Sequence, residues 1–220
     1  MPTRQELTPA IVVTAGYLAG AIPFANLIAH ATKGIDLRKV GTGTVSGTGL
    51  FYEAGLRPLL VGGILDVAKG TVGPLLAGRD RPTLAALAGG AAVTGHNWSI
   101  FLKGAGGRGI SPAMGSMLVN GWQGSLLLLT GIAAGRAVRL TSVGAFVSYL
   151  GLVPAMKAIR GIDGAVAAAA VLAPMLLKRA AGNAAPAGDQ RSRTLLVRLI
   201  FDQDTVPSIR WNGRRPGGER

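Results

Sequence analysis

The sequence has no cysteine, few acidic residues and long stretches without any charge. Because none of the 220 residues is cysteine, a disulfide framework, a cysteine metal site and a thiol nucleophile are all excluded. Residues 8–29, 82–102 and 123–135 carry almost no charged side chain, although the formal net charge is +13 and 49% of residues are hydrophobic. Apolar runs of about 17–25 residues can cross a bilayer core. The composition therefore favours an all-α, polytopic membrane protein over a soluble all-α protein.

The apolar segments predict about seven transmembrane helices joined by glycine-rich cytoplasmic loops. The first apolar run is too long for the apolar region of a signal peptide, so we expect a retained helix. We predict a membrane-embedded domain over residues 1–181 and a basic C-terminal cytoplasmic tail over residues 182–220. Within the tail, residues 194–201 are compatible with a short interfacial helix or with a disordered basic segment. The predicted helices are 8–30, 57–77, 83–102, 109–120, 123–138, 142–157 and 162–178.

The distribution of lysine and arginine predicts the orientation in the membrane. With seven spans and an external N-terminus, the inner loops hold eight of these residues and the tail nine, whereas the outer segments hold five. Cytoplasmic loops usually carry the excess of positive charge. The pattern thus predicts an external N-terminus and a cytoplasmic C-terminus, and it gives no reason to infer nucleic-acid binding.

The first polar cluster is a stretch of glycine and hydroxyl residues, VGTGTVSGTGLFYEAG, at residues 40–55. Glycines allow a backbone conformation in which successive N–H groups surround an anion. The stretch lacks the spacing of a Walker loop, so a simple flexible connection is the alternative. As candidate phosphate-binding residues it supplies Gly41, Gly43, Thr44, Ser46, Thr48 and, just beyond it, Arg57.

A second polar cluster, ILDVAKG, lies inside a predicted span. A charged group there costs about 2.5–3.5 kcal/mol on insertion scales and usually has a function. Asp66 and Lys69 are three residues apart, so they share a helix face and can form an ion pair. Two interpretations stay open: a substrate-binding pair or a purely structural one.

The third cluster, GHNWSIFLKGAGGRG, begins at the end of a predicted span with His96. A histidine can accept or donate a proton near neutral pH, and a cationic glycine loop can bind an anion. Both glycine-rich loops fall on the cytoplasmic side of the predicted topology. The candidate residues in this loop are Lys103, Gly106, Gly107, Arg108 and Gly109.

Together, these stretches resemble the acyl-phosphate:glycerol-3-phosphate acyltransferases of bacterial phospholipid synthesis, the PlsY type. The family pattern G-S-I-P-F-G-Y-L-I is similar to GAIPFANLI at residues 20–28, and I-D-I-R-K-V-G-S-G-N-I-G-A-T-N to IDLRKVGTGTVSGTG at 35–49. The pattern L-D-x-x-K-G matches residues 65–70 without a change. The pattern G-H-x-F-P-x-F-L-x-F-K-G-G-K-G-V resembles residues 95–110. The resemblance spans about residues 10–178.

The resemblance implies seven helices around a cytoplasm-facing site in a bacterial plasma membrane. There the hydroxyl of glycerol-3-phosphate attacks acyl phosphate, with no metal and no cofactor, and the acyl chain can enter between helices from the surrounding bilayer of membrane lipids. It implies catalytic roles for His96 and for Thr42, which occupies the position of the motif serine and keeps its hydroxyl. It leaves the oligomeric state open.

Several motif residues differ from the family pattern. Tyr52 replaces an arginine and Ala105 a lysine, while Thr44, Ser46 and Gly49 also depart from the pattern. The missing cations favour an alternative reading, a non-catalytic paralogue that binds a lipid precursor or regulates the active enzyme. A second alternative is a small transporter, because Asp66 and Lys69 lie within a span.

Overall fold

The computed structural model describes residues 7–41, 43–182 and 191–202, and within these ranges it is helical without a β-strand. Three of the described helical stretches, Pro9–Lys33, Leu56–Ala77 and Thr141–Ala181, have the length and composition needed to cross a membrane. The prediction of an all-α membrane protein is therefore confirmed, and the number of spans stays a prediction. The helices are α1 (Pro9–Ala21), α2 (Phe24–Lys33), α3 (Gly47–Ala54), α4 (Leu56–Ala77), α5 (Pro82–Asn97), α6 (Ile110–Asn120), α7 (Trp122–Ala137), α8 (Thr141–Ala181) and α9 (Arg191–Phe201).

The first apolar run, predicted as one helix, is broken between α1 and α2. Ile22 is extended (φ −61°, ψ 119°) and Pro23 supplies no N–H, so carbonyls at the end of α1 lose their helical partners. In an apolar environment such carbonyls need other donors. The ammonium of Lys69 donates to the Ile22 carbonyl at 2.7 Å, and the Ser99 hydroxyl donates to the Ala21 carbonyl at 2.6 Å. The break is thus stabilised from α4 and from the loop after α5.

Other boundaries also differ from the predictions. The helix predicted over 83–102 ends at Asn97, and a 3₁₀ turn (Ile100–Leu102) follows it. The last two predicted helices are the halves of α8, which bends at Gly161 (φ 66°, ψ −150°). The glycine-rich stretch at 40–55, expected to be a loop, contains α3.

Small residues let the helices around the site approach one another closely. In α1, a Cβ atom on Gly16 or Gly20 would collide with the backbone of α5 at Ala88 or Ala92. Gly70 of α4 lies in the same way against the backbone of α6 at Pro112. Close backbone approach through small residues is typical of membrane helices. It brings the polar residues of α4 and α5 together behind α1.

The main apolar core lies among α5, α6, α7 and α8. Its buried members are at most 3% exposed and include Val93, Met117, Leu128, Leu152 and Val171. In the tail, α9 packs against the C-terminal end of α8, which agrees with the helical alternative for residues 194–201. The division at residue 181 remains a prediction.

Candidate functional site

The two glycine-rich loops, which are the first loop (residues 40–55) and the third cluster (residues 95–109), meet at the end of α5. The N–H of Val45 in the first loop donates to the Gly106 carbonyl of the third cluster at 3.1 Å. The third cluster in turn folds back on α5, because the Gly107 N–H donates to the His96 carbonyl at 3.1 Å. A Cβ atom on Gly106 would lie 2.5 Å from the Asn97 carbonyl oxygen, so only glycine permits this approach. Hydrogen bonds therefore join the loops that the sequence places sixty residues apart.

Two buried charged residues and a histidine whose side chain is 9% exposed form a cluster behind these loops, which we call the buried cluster. Asp66 and Lys69 form the ion pair that their spacing predicted, with 2.7 Å between Oδ1 and Nζ, and the side chains are 4% and 3% exposed. His96 Nδ1 lies 3.9 Å from the same carboxylate oxygen. That oxygen is buried and receives no hydrogen bond of good geometry from the described residues, so its contact with Lys69 is electrostatic. The other imidazole nitrogen, His96 Nε2, faces Gly107.

A small cavity lies between this buried cluster and the break in the first helix. Asp66, Lys69, His96 and Ser99 contribute the polar side chains of its lining, and the other lining residues are mainly apolar. The lining comes from the end of α1, the start of α2, α4, α5, the first loop and the third cluster. It is the place where the buried cluster and the two loops share one space.

Several polar groups of the first loop form hydrogen bonds within the loop itself. Ser46 caps α3 by accepting a hydrogen bond from the Gly49 N–H at 3.2 Å, and the Gly43 N–H donates to the Val40 carbonyl at 3.0 Å. Thr44 is buried and Thr48 is exposed. Two of the predicted anion-binding positions therefore support the loop itself. Gly41 and Gly43 have positive φ angles of 56° and 67°, as the sequence pattern predicts, and Thr42 between them lies outside the described residues.

An ion pair that was not among the predicted site residues stabilises the segment that leads into the first loop. Asp36 caps the 3₁₀ turn Leu37–Lys39, and Arg38 donates to its carboxylate through Nε at 2.9 Å and Nη2 at 2.6 Å. These hydrogen bonds lower the pKa of Asp36 to about 2. Asn26 of α2 accepts a hydrogen bond from the next backbone N–H, that of Leu37, at 2.8 Å. The sequence IDLR at residues 35–38, with an acidic residue two positions before an arginine, is the pattern from which this ion pair could have been predicted.

The predicted cations are not gathered at one point. Arg57, in the first turn of α4, is exposed, and Lys103 is exposed in the third cluster. Arg108 is partly buried: its Nη1 donates to the Lys178 carbonyl at 3.1 Å, and its Nε lies 2.8 Å from Asp202 Oδ1. The structure thus brings His96, Asp66, Lys69, Gly106 and Gly107 together. It directs Arg108 towards the ends of α8 and α9, and Gly109, with a φ of 81°, is the N-cap residue of α6.

A second basic cluster, beside Arg108, was missed by the sequence analysis. Lys178 and Arg179 are 5% and 3% exposed at the end of α8. The Lys178 ammonium lies 5.2 Å from the centre of the Trp98 ring, and Arg179 donates to the Ser142 carbonyl at 2.7 Å. The sequence shows these residues only as basic residues at a helix end, which is a common position for solvated charge.

Comparison with known proteins gives consistent matches over most of the chain. A family model described as glycerol-3-phosphate acyltransferase matches residues 10–185. A glycerol-3-phosphate acyltransferase from Synechococcus sp. (strain CC9902) is 34% identical over 183 residues, covering 80% of this chain and 90% of the relative. One from Prochlorococcus marinus (strain MIT 9312) is 33% identical over 141 residues, covering 61% and 72%.

Two crystal structures of PlsY (YgiH), an integral membrane glycerol 3-phosphate acyltransferase, have a similar fold. The glycerol 3-phosphate form superimposes with a TM-score of 0.71 at 24% identity, covering 78% of this chain and 88% of the other. The lysophosphatidic acid form gives a TM-score of 0.68 at 21% identity, with 78% and 87% covered. At these identities the likeness concerns the fold.

Proposed function

This chain belongs to the glycerol-3-phosphate acyltransferase family, and from that premise we propose that it transfers an acyl group from acyl phosphate to glycerol-3-phosphate. The family resemblance drawn from the four motifs is confirmed by the family model, which covers residues 10–185. The chain is a membrane protein. The acyl donor and the residues that act on it are the parts that we propose.

The observation that supports this proposal is the hydrogen-bonded junction of the two loops in front of His96. Both reactants carry a phosphate group, so the site needs donors and cations that can approach from two directions. The first loop and the third cluster meet through the bond from Val45 to Gly106, and the buried cluster lies directly behind them. Arg57 and Lys103, which are both exposed, are the cations that we assign to binding of a phosphate group.

The proposed reaction needs no covalent enzyme intermediate. The acceptor hydroxyl oxygen bonds to the acyl carbon, the bond from that carbon to the phosphate oxygen breaks, and phosphate leaves. The hydroxyl proton passes to His96 or to a phosphate oxygen. In the first case Nε2 is the accepting atom, because it faces the loops, and the Asp66 carboxylate near Nδ1 stabilises the imidazolium that forms. We assign Thr42 a hydrogen bond to the reacting group.

The test is acceptor-dependent release of phosphate from acyl phosphate by the purified chain in detergent. His96→Ala should reduce turnover by about 10²–10⁴, the usual contribution of a positioned acid–base group. His96→Gln or His96→Asn should keep part of the activity if the role is hydrogen bonding. The other histidine of the chain, His30, is exposed on α2, so His30→Ala is the matched control and should leave turnover unchanged.

Two results would count against the proposal. Equal acceptor-dependent release in the wild type and in His96→Ala would remove His96 from the mechanism. No acceptor-dependent release by a well-folded wild type would contradict the reaction itself and would favour the non-catalytic alternative.

We also propose a multi-pass arrangement with the N-terminus outside and the C-terminus in the cytoplasm. Because the chain has no cysteine, each cysteine variant carries a single thiol. Lys103 and Asp80 are exposed and lie on opposite sides of the proposed topology. An impermeant thiol reagent should label Asp80→Cys in intact cells and Lys103→Cys only after permeabilisation; the reverse pattern would invert the orientation.

A further inference from the structure

Two buried arginines hold the C-terminal helix α9 against the end of α8. Arg198 of α9, 2% exposed, donates to the Ala181 carbonyl at 2.8 Å. In the opposite direction, Arg179 of α8 donates to the Ile200 carbonyl at 3.1 Å and to the Arg198 carbonyl at 3.3 Å. Each helix therefore supplies a guanidinium to backbone carbonyls at the end of the other helix. These charge-assisted bonds give α9 one defined position.

In this position α9 places a carboxylate on Arg108. Asp202 follows the last turn of α9, and its N–H donates to the Arg198 carbonyl at 2.9 Å. Its φ angle is 56°, a left-handed conformation that aspartate tolerates better than most residues. Its Oδ1 lies 2.8 Å from Arg108 Nε, yet the angle is outside hydrogen-bond geometry. The contact is a charge pair of poor directionality.

The charges around this contact are unbalanced. Arg108, Arg179 and Lys178 surround the end of α8, and Asp202 is the carboxylate that the described residues bring to them. Burial raises the pKa of the Asp202 carboxyl, and the two guanidiniums oppose that shift. A desolvated carboxylate with imperfect geometry is a weak partner for a guanidinium. A phosphate offers more negative charge and three acceptor oxygens.

We propose that α9 is an autoinhibitory strap, in which Asp202 occupies the face of Arg108 that the phosphate of a substrate takes during catalysis. A phosphate-bearing substrate and docked α9 then compete for one guanidinium. Arg108 stays in place when α9 leaves, because its Nη1 is held by the Lys178 carbonyl. The identity of the competing ligand rests on the proposed function; the competition itself requires only a phosphate group.

The short length of α9 gives this competition a measurable signal. The helix has 11 residues, and isolated helices shorter than about 12–15 residues are marginal in water. Once α9 leaves α8, its backbone hydrogen bonds are no longer protected. Hydrogen exchange of residues 191–202 in the full-length chain therefore reports directly on docking.

The experiment measures this exchange in detergent with inorganic phosphate and with chloride at equal ionic strength. Phosphate should accelerate exchange in residues 191–202 about threefold to tenfold in the wild type, the range expected for loss of one partly buried ion pair. Asp202→Asn, which keeps the shape and tolerates the same φ angle, should show the faster exchange already in chloride. Its KM for the phosphate-bearing substrate should fall by a similar factor, with kcat unchanged. Asp163→Asn removes an exposed carboxylate near the Gly161 bend, about 18 residues from the end of α8, and should change neither quantity.

Two outcomes would overturn the proposal. One is exchange in residues 191–202 that phosphate does not alter in the wild type. The other is a higher KM in Asp202→Asn, which would make Asp202 a residue that positions Arg108 for the substrate. Absence of turnover in the wild type would contradict the acyltransferase proposal alone, because the exchange measurement with inorganic phosphate still decides the competition.

Discussion

Lys69 stabilises two separate parts of the fold, and its replacement by methionine should remove both contributions. Its ammonium lies 2.7 Å from Asp66 Oδ1 and donates to the Ile22 carbonyl at 2.7 Å, with both side chains of the ion pair at most 4% exposed. Breaking a buried pair by removing one partner costs about 3–5 kcal/mol, because the other charge is left uncompensated. The lost charge-assisted hydrogen bond to the Ile22 carbonyl, which keeps the Phe24 N–H as a donor at 3.1 Å, adds about 1.5–3 kcal/mol. We therefore expect Lys69→Met to lower the free energy of unfolding by about 4.5–8 kcal/mol.

The double variant Asp66→Asn/Lys69→Met separates these two contributions. It removes the uncompensated carboxylate, so that only the hydrogen bond from Lys69 to the Ile22 carbonyl is lost, and it should regain about 3–5 kcal/mol relative to Lys69→Met. At about 2–4 °C per kcal/mol for a chain of this size, the double variant should melt about 6–20 °C above the single variant. Thermal unfolding in one detergent, followed by tryptophan fluorescence, measures the difference. Lys157→Met, at an exposed lysine, is the control and should change stability by less than about 0.5 kcal/mol. A double variant that melts no higher than Lys69→Met would refute the reasoning.

Two further substitutions test the loops. Gly107→Ala should lower both the melting temperature and the turnover. The added Cβ would collide with His96 Nε2 and lie 2.7 Å from the Val45 carbonyl oxygen. Overpacking of this kind costs about 1–3 kcal/mol of stability. Gly63→Ala, where nothing lies within 4 Å of the added Cβ, is its control, and equal effects of the two would remove the argument from close approach. Tyr52 is 77% exposed on α3, so Tyr52→Arg should fold normally. It should lower the KM for glycerol-3-phosphate by about tenfold or more, because the guanidinium can make a charge-assisted contact with the phosphate. Tyr52→Gln is the control that separates charge from size, and an unchanged KM in both variants would place the phosphate elsewhere.

The sequence predicted those features that depend on local pattern. The apolar runs predicted most of the helices, and the spacing of Asp66 and Lys69 predicted their ion pair, which the structure confirms. The break at Ile22 and Pro23 was not predicted, because the residues on both sides form one continuous apolar run. Its stabilising donor, Lys69, lies 47 residues away. A proline within such a run gives no indication of whether distant side chains can satisfy the freed carbonyls.

Helix α3 shows a different reason for failure. Gly47 and Gly49 have low helix propensity, so a flexible loop was the natural prediction for this stretch. The helix forms because Ser46 caps its first turn and because Leu50, 0% exposed, packs in an apolar cluster that includes residues of α2 and of both loops. A cap and one buried side chain outweigh the propensity of two glycines, and only the tertiary packing shows that Leu50 is buried.

The tail connects the motif departures with the candidate site. Tyr52 and Ala105 stand where the family pattern has cations, so the two loops carry fewer positive charges than the pattern predicts. Each remaining cation then has a larger share in binding two phosphate groups, and of the two cations in the third cluster, Lys103 and Arg108, it is Arg108 that the structure places against a carboxylate. A single acidic residue, Asp202, can therefore control substrate affinity in this chain, whereas in a site with several cations near the phosphate the same contact would have a smaller effect. Restoring a cation with Tyr52→Arg should accordingly make the KM less sensitive to Asp202→Asn, because the phosphate would then have a second positive partner that α9 does not cover.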